Sequence, residues 1–218
     1  MPTTYQTHFH GASPRGYFTG EGLPGKRVAL TFDDGPCDAT LSLLAEMDKL
    51  GVKGTFFMIG DQIAASPNAR RAAELATKLG HCVGNHTMTH AFLPKASAKR
   101  IGEELDKCSN ELPAGASKLF RPPNGCMDER VDLALAKRGL TPVLWNVTSR
   151  DWTTKDPNKI VSTILGGLSS DSTNVILLHD GDAKNKRDTI TTVRAIKILV
   201  PILQESGYEF VTIPQLMP

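Results

Sequence analysis

The strongest constraint on this chain is a rhythm in which seven short apolar runs alternate with longer amphipathic segments. The runs fall at residues 27–32, 54–59, 81–84, 118–121, 142–147, 174–178 and 209–213. Each is bounded by Gly, Pro, Asn or Asp, the pattern of strands buried on both faces. Helices are predicted between them over 38–50, 67–79, 97–112, 128–138, 157–168 and 191–205. In the third of these, Ile101, Leu105, Cys108 and Leu112 share one face, with charged residues opposite. Ser97 precedes that helix, Gly80, Gly139 and Gly207 follow theirs, and Pro67 and Pro157 suit first turns. Pro201, inside the last pattern, predicts a kink or a break. A crossover helix must pack on the sheet and return, so the alternation predicts a parallel sheet in an α/β fold. The sheet either closes into a barrel or stays open and doubly wound. No linker or repeat divides the chain, and one domain is expected.

Composition serves mainly to exclude. At 218 residues the chain buries about 70% of its unfolded surface and needs no disulfide or structural metal to fold. With 25 basic and 23 acidic residues, the net charge of +2 points to no nucleic-acid partner. A basic run at Lys184, Lys186 and Arg187 reads as a solvated loop. No stretch approaches a membrane-spanning length, and the opening residues lack the charged-then-apolar pattern of a secretory signal. Cys37, Cys82, Cys108 and Cys126 show neither CxxC nor zinc-ribbon spacing and read as buried or partly buried thiols, with a disulfide of unread pairing as the alternative for an exported protein.

Chemistry gathers where the runs end. The first leads into Thr31-Phe32-Asp33-Asp34-Gly35-Pro36, the third into His86-Thr87-Met88-Thr89-His90, and the fourth into Arg121-Pro122-Pro123-Asn124-Gly125. The fifth leads to Arg150-Asp151-Trp152 and the sixth to His179-Asp180-Gly181. In parallel α/β folds the C-terminal ends of the strands share one rim, where active sites lie. On a helical turn, His86 and His90 would share a face and could hold one cation. A carboxylate from Asp33 or Asp34 would complete a two-His, one-carboxylate set with positions left for water and substrate. The alternative is two unrelated histidines beside an Asp-Gly-Pro turn. Two adjacent anions are costly unless a cation shares them, which favours the metal. Arg121, on a loop stiffened by two prolines, is either a buried structural residue or the clamp of a catalytic carboxylate. His179 reads as a general acid oriented by Asp151, against the plainer reading of a core histidine. Trp152 either walls the pocket or packs.

Taken together, these segments resemble the polysaccharide deacetylase family (carbohydrate esterase family 4), whose catalytic domain the rhizobial chitooligosaccharide deacetylases share. Five family motifs occur in order. TFDDGP is unchanged, HTMTH matches the HSxxH type, and RPPNG the RxPxG type. Arg150-Asp151-Trp152 ends a DxxDW-like motif, and Leu177-Leu178-His179 matches LxH. The resemblance implies a distorted (β/α)7 barrel with a metal site at the C-terminal rim. Residues 1–26 would be an N-terminal extension and 27–218 the catalytic domain. It further implies that Asp34, His86 and His90 bind a divalent ion, Zn²⁺ before Co²⁺ or another. Asp33 would then be the general base, His179 the general acid, Asp151 its partner and Arg121 the residue positioning Asp33. The backbone N–H of Asn124 would help hold the oxyanion. The implied reaction is hydrolysis of N-acetyl groups on a GlcNAc-containing polymer, chitin, chitooligosaccharide or peptidoglycan. An O-acetyl esterase acting on xylan and a non-catalytic glycan-binding barrel are the alternatives. The implied partner is an acetylated carbohydrate, the implied state a monomer, and the implied location secreted or in the cell envelope. Two positions depart from the family pattern: Asn124 where an aromatic is frequent, and Thr148 in place of the first Asp of DxxDW.

Overall fold

The structure is a computed structural model that describes residues 16–182 and 189–217, so the basic run at Lys184, Lys186 and Arg187 lies outside the described residues. The apolar runs form strands β1 (Arg27–Asp33), β2 (Thr55–Met58), β3 (Cys82–Asn85), β4 (Leu119–Phe120), β5 (Thr141–Pro142), β6 (Val147–Thr148), β7 (Asn174–His179) and β8 (Glu209–Phe210). They pair in the order β5-β4-β3-β2-β1-β7-β6, with β8 beside the start of β1. Every ladder is parallel.

Helices α1 (Asp38–Lys49), α2 (Gly60–Ala64), α3 (Pro67–Lys78), α4 (Ala98–Glu111), α5 (Glu129–Ala136), α6 (Pro157–Gly167) and α7 (Ile190–Glu205) make the crossovers. Ser66, Ser97, Asp128 and Asp156 cap α3, α4, α5 and α6 through their side-chain oxygens. The five-residue α2 carries no periodic signal and was not expected. Nor does α7 break at Pro201. Its buried residues on both sides of the proline, from Thr191 to Leu203, hold the helix together although an interior proline costs about 3 kcal/mol through its missing N–H and the clash of its ring.

The fifth apolar run is two strands rather than the one expected, and the difference shapes the barrel. Its beginning, β5, pairs with β4, while its end, β6, pairs with β7 at the opposite end of the sheet. Between them the chain crosses from one edge to the other. Val143 N donates to Phe120 O, Leu144 N to Phe18 O, and Asn146 N to Val175 O. Where the β4–β5 ladder would continue, Pro122 has no N–H to donate, and the Val143 and Leu144 carbonyls accept hydrogen bonds from the Arg121 guanidinium instead. The result is a distorted (β/α)7 barrel whose last side is spanned by irregular chain.

Strand alternation sorts the core. Val28, Leu30 and Phe32 of β1 and Ile176 and Leu178 of β7 pack outward against α1, α6 and α7. Ala29, Phe57, Val143 and Val175 fill the interior. With a period of two, Thr31 and Asp33 follow Ala29 on the inner face, and His179 follows Val175 and Leu177. Buried on both faces, β1 shows no polar alternation except where its inner face reaches the rim.

Candidate active site

Asp33 points inward by strand alternation, and Asp34 would point out if the strand continued. Its φ of 71° ends the alternation and turns its carboxylate onto the same rim. Gly181 makes the turn feasible, because a Cβ there would collide with the Asp34 backbone. Both aspartates are buried.

The histidine pair arrives by a route the spacing did not suggest. Residues 86–90 form no helical turn; they are an irregular loop with left-handed φ at Thr87 (69°) and His90 (56°). The imidazoles nevertheless converge, with ring centroids 5.1 Å apart. Asp34 Oδ1 lies 3.4 Å from His86 Nε2 and 3.3 Å from His90 Nε2. Asp34, His86 and His90 each offer one ligand atom, all within 4.8 Å of one another. Separations near 3.4 Å are about those between corners of a tetrahedron whose centre lies ~2.1 Å from each, the usual zinc–nitrogen distance. His86 Nδ1 donates to Arg121 O at 2.7 Å, which leaves Nε2 with its lone pair toward Asp34. Donor type, spacing and tautomer fit a small divalent cation.

The electrostatics agree. Burial opposes protonation of His86, but Asp33 and Asp34 outweigh it and raise its pKa. Burial likewise opposes ionisation of Asp34, yet the hydrogen bond and charge of His86, with His179 and His90, hold its carboxyl far below the usual range. His90 is lowered by burial and by the neighbouring His86. The aspartates thus draw positive charge to the point where the three ligand atoms meet. An imidazole can supply that charge only by protonating the nitrogen that a cation would use.

Arg121 is fully buried and sits beneath the aspartates. Its Nη1 donates to Asp33 Oδ1 at 2.8 Å and Thr31 Oγ1 at 2.7 Å, its Nη2 to Leu144 O at 2.9 Å, and its Nε to Val143 O at 3.3 Å. The guanidinium also lies 4.2 Å from the Phe57 ring centroid. This leaves Asp33 Oδ2 on the side facing His86, at 3.9 Å.

Across the rim, His179 Nδ1 lies 2.8 Å from Asp151 Oδ1, and Asp151 Oδ2 accepts from the His179 backbone N–H at 2.7 Å. Burial works against His179 protonation, but the charge and hydrogen bond of Asp151, with Asp33 and Asp34 farther off, raise its pKa. Trp152, 45% exposed, stands edge-on to the His179 ring at 5.3 Å. Asn124 takes a left-handed conformation, with φ 58°. Asp33, Asp34, His86, His90, Asn124 and His179 line one open cleft of about 330 Å³, walled by Trp145, Trp152 and Leu177.

Three polar residues around this cleft were given no role of their own from the sequence. Thr31 accepts from Arg121 and donates to Ile176 O, and its position two before Asp33 on one strand face was the available signal. Thr192 donates to Asp151 Oδ2 at 3.1 Å from α7, where nothing in the sequence marks it. Asp180, next to His179, is withdrawn from the cleft and accepts from Thr40 Oγ1 at 2.6 Å; burial pushes its pKa up to about 7. None of the four cysteines is in a disulfide.

A family profile described as Polysaccharide deacetylase matches residues 20–143, more than half of the chain. The chain belongs to the polysaccharide deacetylase family. It is similar to a chitooligosaccharide deacetylase of Bradyrhizobium sp. (strain ANU 289), with 35% identity over 88% of this chain and 90% of that protein. A peptidoglycan-N-acetylglucosamine deacetylase of Bacillus cereus is 33% identical over 94% of each chain. Among solved structures, the Bc1960 peptidoglycan N-acetylglucosamine deacetylase in complex with an N-hydroxybenzamide superimposes with a TM-score of 0.83 at 29% identity, covering 92% of both chains. Polysaccharide deacetylases of this fold are metal-dependent, and Asp34, His86 and His90 form the candidate site for the ion in this one. No helix among the described residues is long and apolar enough to cross a membrane.

Proposed function

We propose that this polysaccharide deacetylase removes N-acetyl groups from a GlcNAc-containing polymer or oligomer, either chitooligosaccharide or peptidoglycan. The supporting observation is that a carboxylate with one restrained oxygen (Asp33) and a carboxylate-oriented histidine (His179) border a single cleft around the Asp34–His86–His90 group. We assign Asp34, His86 and His90 to a divalent cation, Zn²⁺ by preference for two imidazoles and one carboxylate. Bound there, the ion supplies Lewis acidity, polarising an acetamide carbonyl and bringing the pKa of water toward about 7.

The remaining roles belong to the chain. Arg121 occupies Asp33 Oδ1, so Oδ2 is the oxygen that takes a proton from the attacking water. Asp151 holds His179 through Nδ1, which leaves Nε2 to deliver a proton to the departing amine. Without that proton an amide C–N bond breaks poorly. The backbone N–H of Asn124 is assigned to the developing oxyanion. Trp145, Trp152 and Leu177 limit water around the acetyl group. In this reading residues 27–218 are the catalytic domain, the protein works as a monomer, and it acts where such polymers lie, outside the cell or in its envelope.

The test is acetate release from chitooligosaccharide, peptidoglycan and acetylxylan, measured after chelation and again with Zn²⁺ or Co²⁺ restored. Metal-dependent release from either of the first two is expected. Release from acetylxylan alone would convert the assignment to an O-acetyl esterase. Background release from all three, with metal supplied and glycan still bound, would leave a binding protein instead.

A further inference from the structure

The loop from His86 to His90 has no regular structure, and two of its residues, Thr87 and His90, hold left-handed backbone that a non-glycine residue keeps only under constraint. Helix α4 supplies that constraint at both ends. At the start, fully buried Asn85 donates to Leu105 O at 3.0 Å and to Ser109 Oγ at 2.9 Å, while its Oδ1 accepts from Thr87 N at 2.8 Å. At the far end stands Glu104, whose side chain is wholly buried. Its carboxylate accepts both Thr89 donors, the backbone N–H at 2.8 Å and the hydroxyl at 2.7 Å. Arg100, one turn earlier on α4, forms an ion pair with Glu104.

The two histidines therefore depend on different supports. His86 continues a strand: its N–H donates to Met58 O at 3.0 Å, and its ring is tied to Arg121 O. His90 follows directly on the residue that Glu104 grips. We propose that Glu104 is a positioning residue for cation binding, holding Thr89 so that His90 Nε2 stays beside Asp34 Oδ1. The inference rests on the reading that Asp34, His86 and His90 hold the ion. A carboxylate suits the task because it accepts two donors at once. Glutamine would keep one acceptor for the Thr89 N–H, force the Thr89 hydroxyl to reverse and accept, and lose the charge that Arg100 pairs with.

The experiment compares metal-stripped wild type, Glu104→Gln, Glu104→Ala and His90→Ala. Each is titrated with Zn²⁺ and with Co²⁺ against a chromophoric chelator, and the metal-free forms are also melted. Glu104→Gln is expected to fold and to bind Zn²⁺ about 10- to 100-fold more weakly, the usual effect of losing a group that orients a ligand. Its acetate release should recover most of the way at saturating Zn²⁺. A lowered melting temperature with an unchanged dissociation constant would overturn the proposal, since a merely structural carboxylate gives that result. Should Glu104→Ala fail to fold, Glu104→Gln carries the test alone. If wild type does not bind Zn²⁺, or His90→Ala binds as tightly as wild type, the metal assignment itself fails. If those two behave as expected and Glu104→Gln binds normally, only the role of Glu104 falls.

Discussion

One strand carries a buried histidine at each end, and the two have opposite chemistry. His81, just before β3, is 5% exposed, and its Nδ1 accepts the Gly54 N–H at 3.0 Å. Burial, helped by the charge of Lys53, drives its pKa down to about 4, so it stays neutral. His86, just after β3, is buried as deeply, yet two aspartates raise its pKa and its Nδ1 donates rather than accepts. Burial alone therefore says nothing about function in this fold. What separates the two is which end of a parallel strand they occupy, since only the C-terminal end meets the carboxylates at the end of β1, two strands away.

The contrast can be broken most directly by substitution. His86→Ala should abolish retention of the ion and lower acetate release by more than about 10³-fold, an expectation built on the Lewis-acid contribution of the metal. His81→Asn, whose amide oxygen can still accept the Gly54 N–H, should leave metal content and turnover close to wild type. Equal losses in the two variants would end the distinction. On the other side of the cleft, His179→Ala should cost about 10² to 10⁴ in kcat with metal content preserved, the range for a lost general acid. Loss of metal in that variant would mean that His179 belongs to the cation site instead.

Stability as a function of pH sharpens the comparison, because two buried groups pull in opposite directions. Asp180 has its pKa raised from 3.8 to about 7, so the folded state holds the extra proton. Its stabilising effect is complete below the unfolded value and is lost as pH rises toward 7. Relative to Asp180→Asn, the wild type should therefore lose up to about 4 kcal/mol between pH 4 and pH 7. His81, lowered from 6.5 to about 4, has the reverse sign. Its contribution is complete above pH 6.5 and is lost as pH falls toward 4, on the order of 3 kcal/mol relative to His81→Asn. Denaturant unfolding of both variants across pH 4–8 checks the two slopes, and profiles of the same sign would refute the burial argument.

Much of this arrangement was legible in the sequence. The seven runs were recognisable because parallel strands buried on both faces leave almost uninterrupted apolar residues, and the spacing of His86 and His90 marked them as a pair. Their geometry was not legible, since the helical turn that would align them is replaced by a loop in left-handed backbone at Thr87 and His90. Nor could the fifth run be seen as two strands, because the carbonyls at its interruption are satisfied by the guanidinium of Arg121, 22 residues away. Glu104 and Thr192 were invisible for a related reason. They act through Thr89 and Asp151, and local patterning carries no record of such distant partners.

Arg121 links the cleft to the barrel's one irregular side. The same guanidinium that restrains Asp33 also stands in for the missing ladder by binding the Val143 and Leu144 carbonyls, so one substitution would loosen scaffold and catalyst together. Lysine, whose donors all sit on one nitrogen, could not serve four acceptors spread over two stretches of chain. Variation among descendants of this protein should therefore leave position 121 untouched and accumulate in the surrounding loops, where a change of preferred glycan can be tried without unsettling the frame.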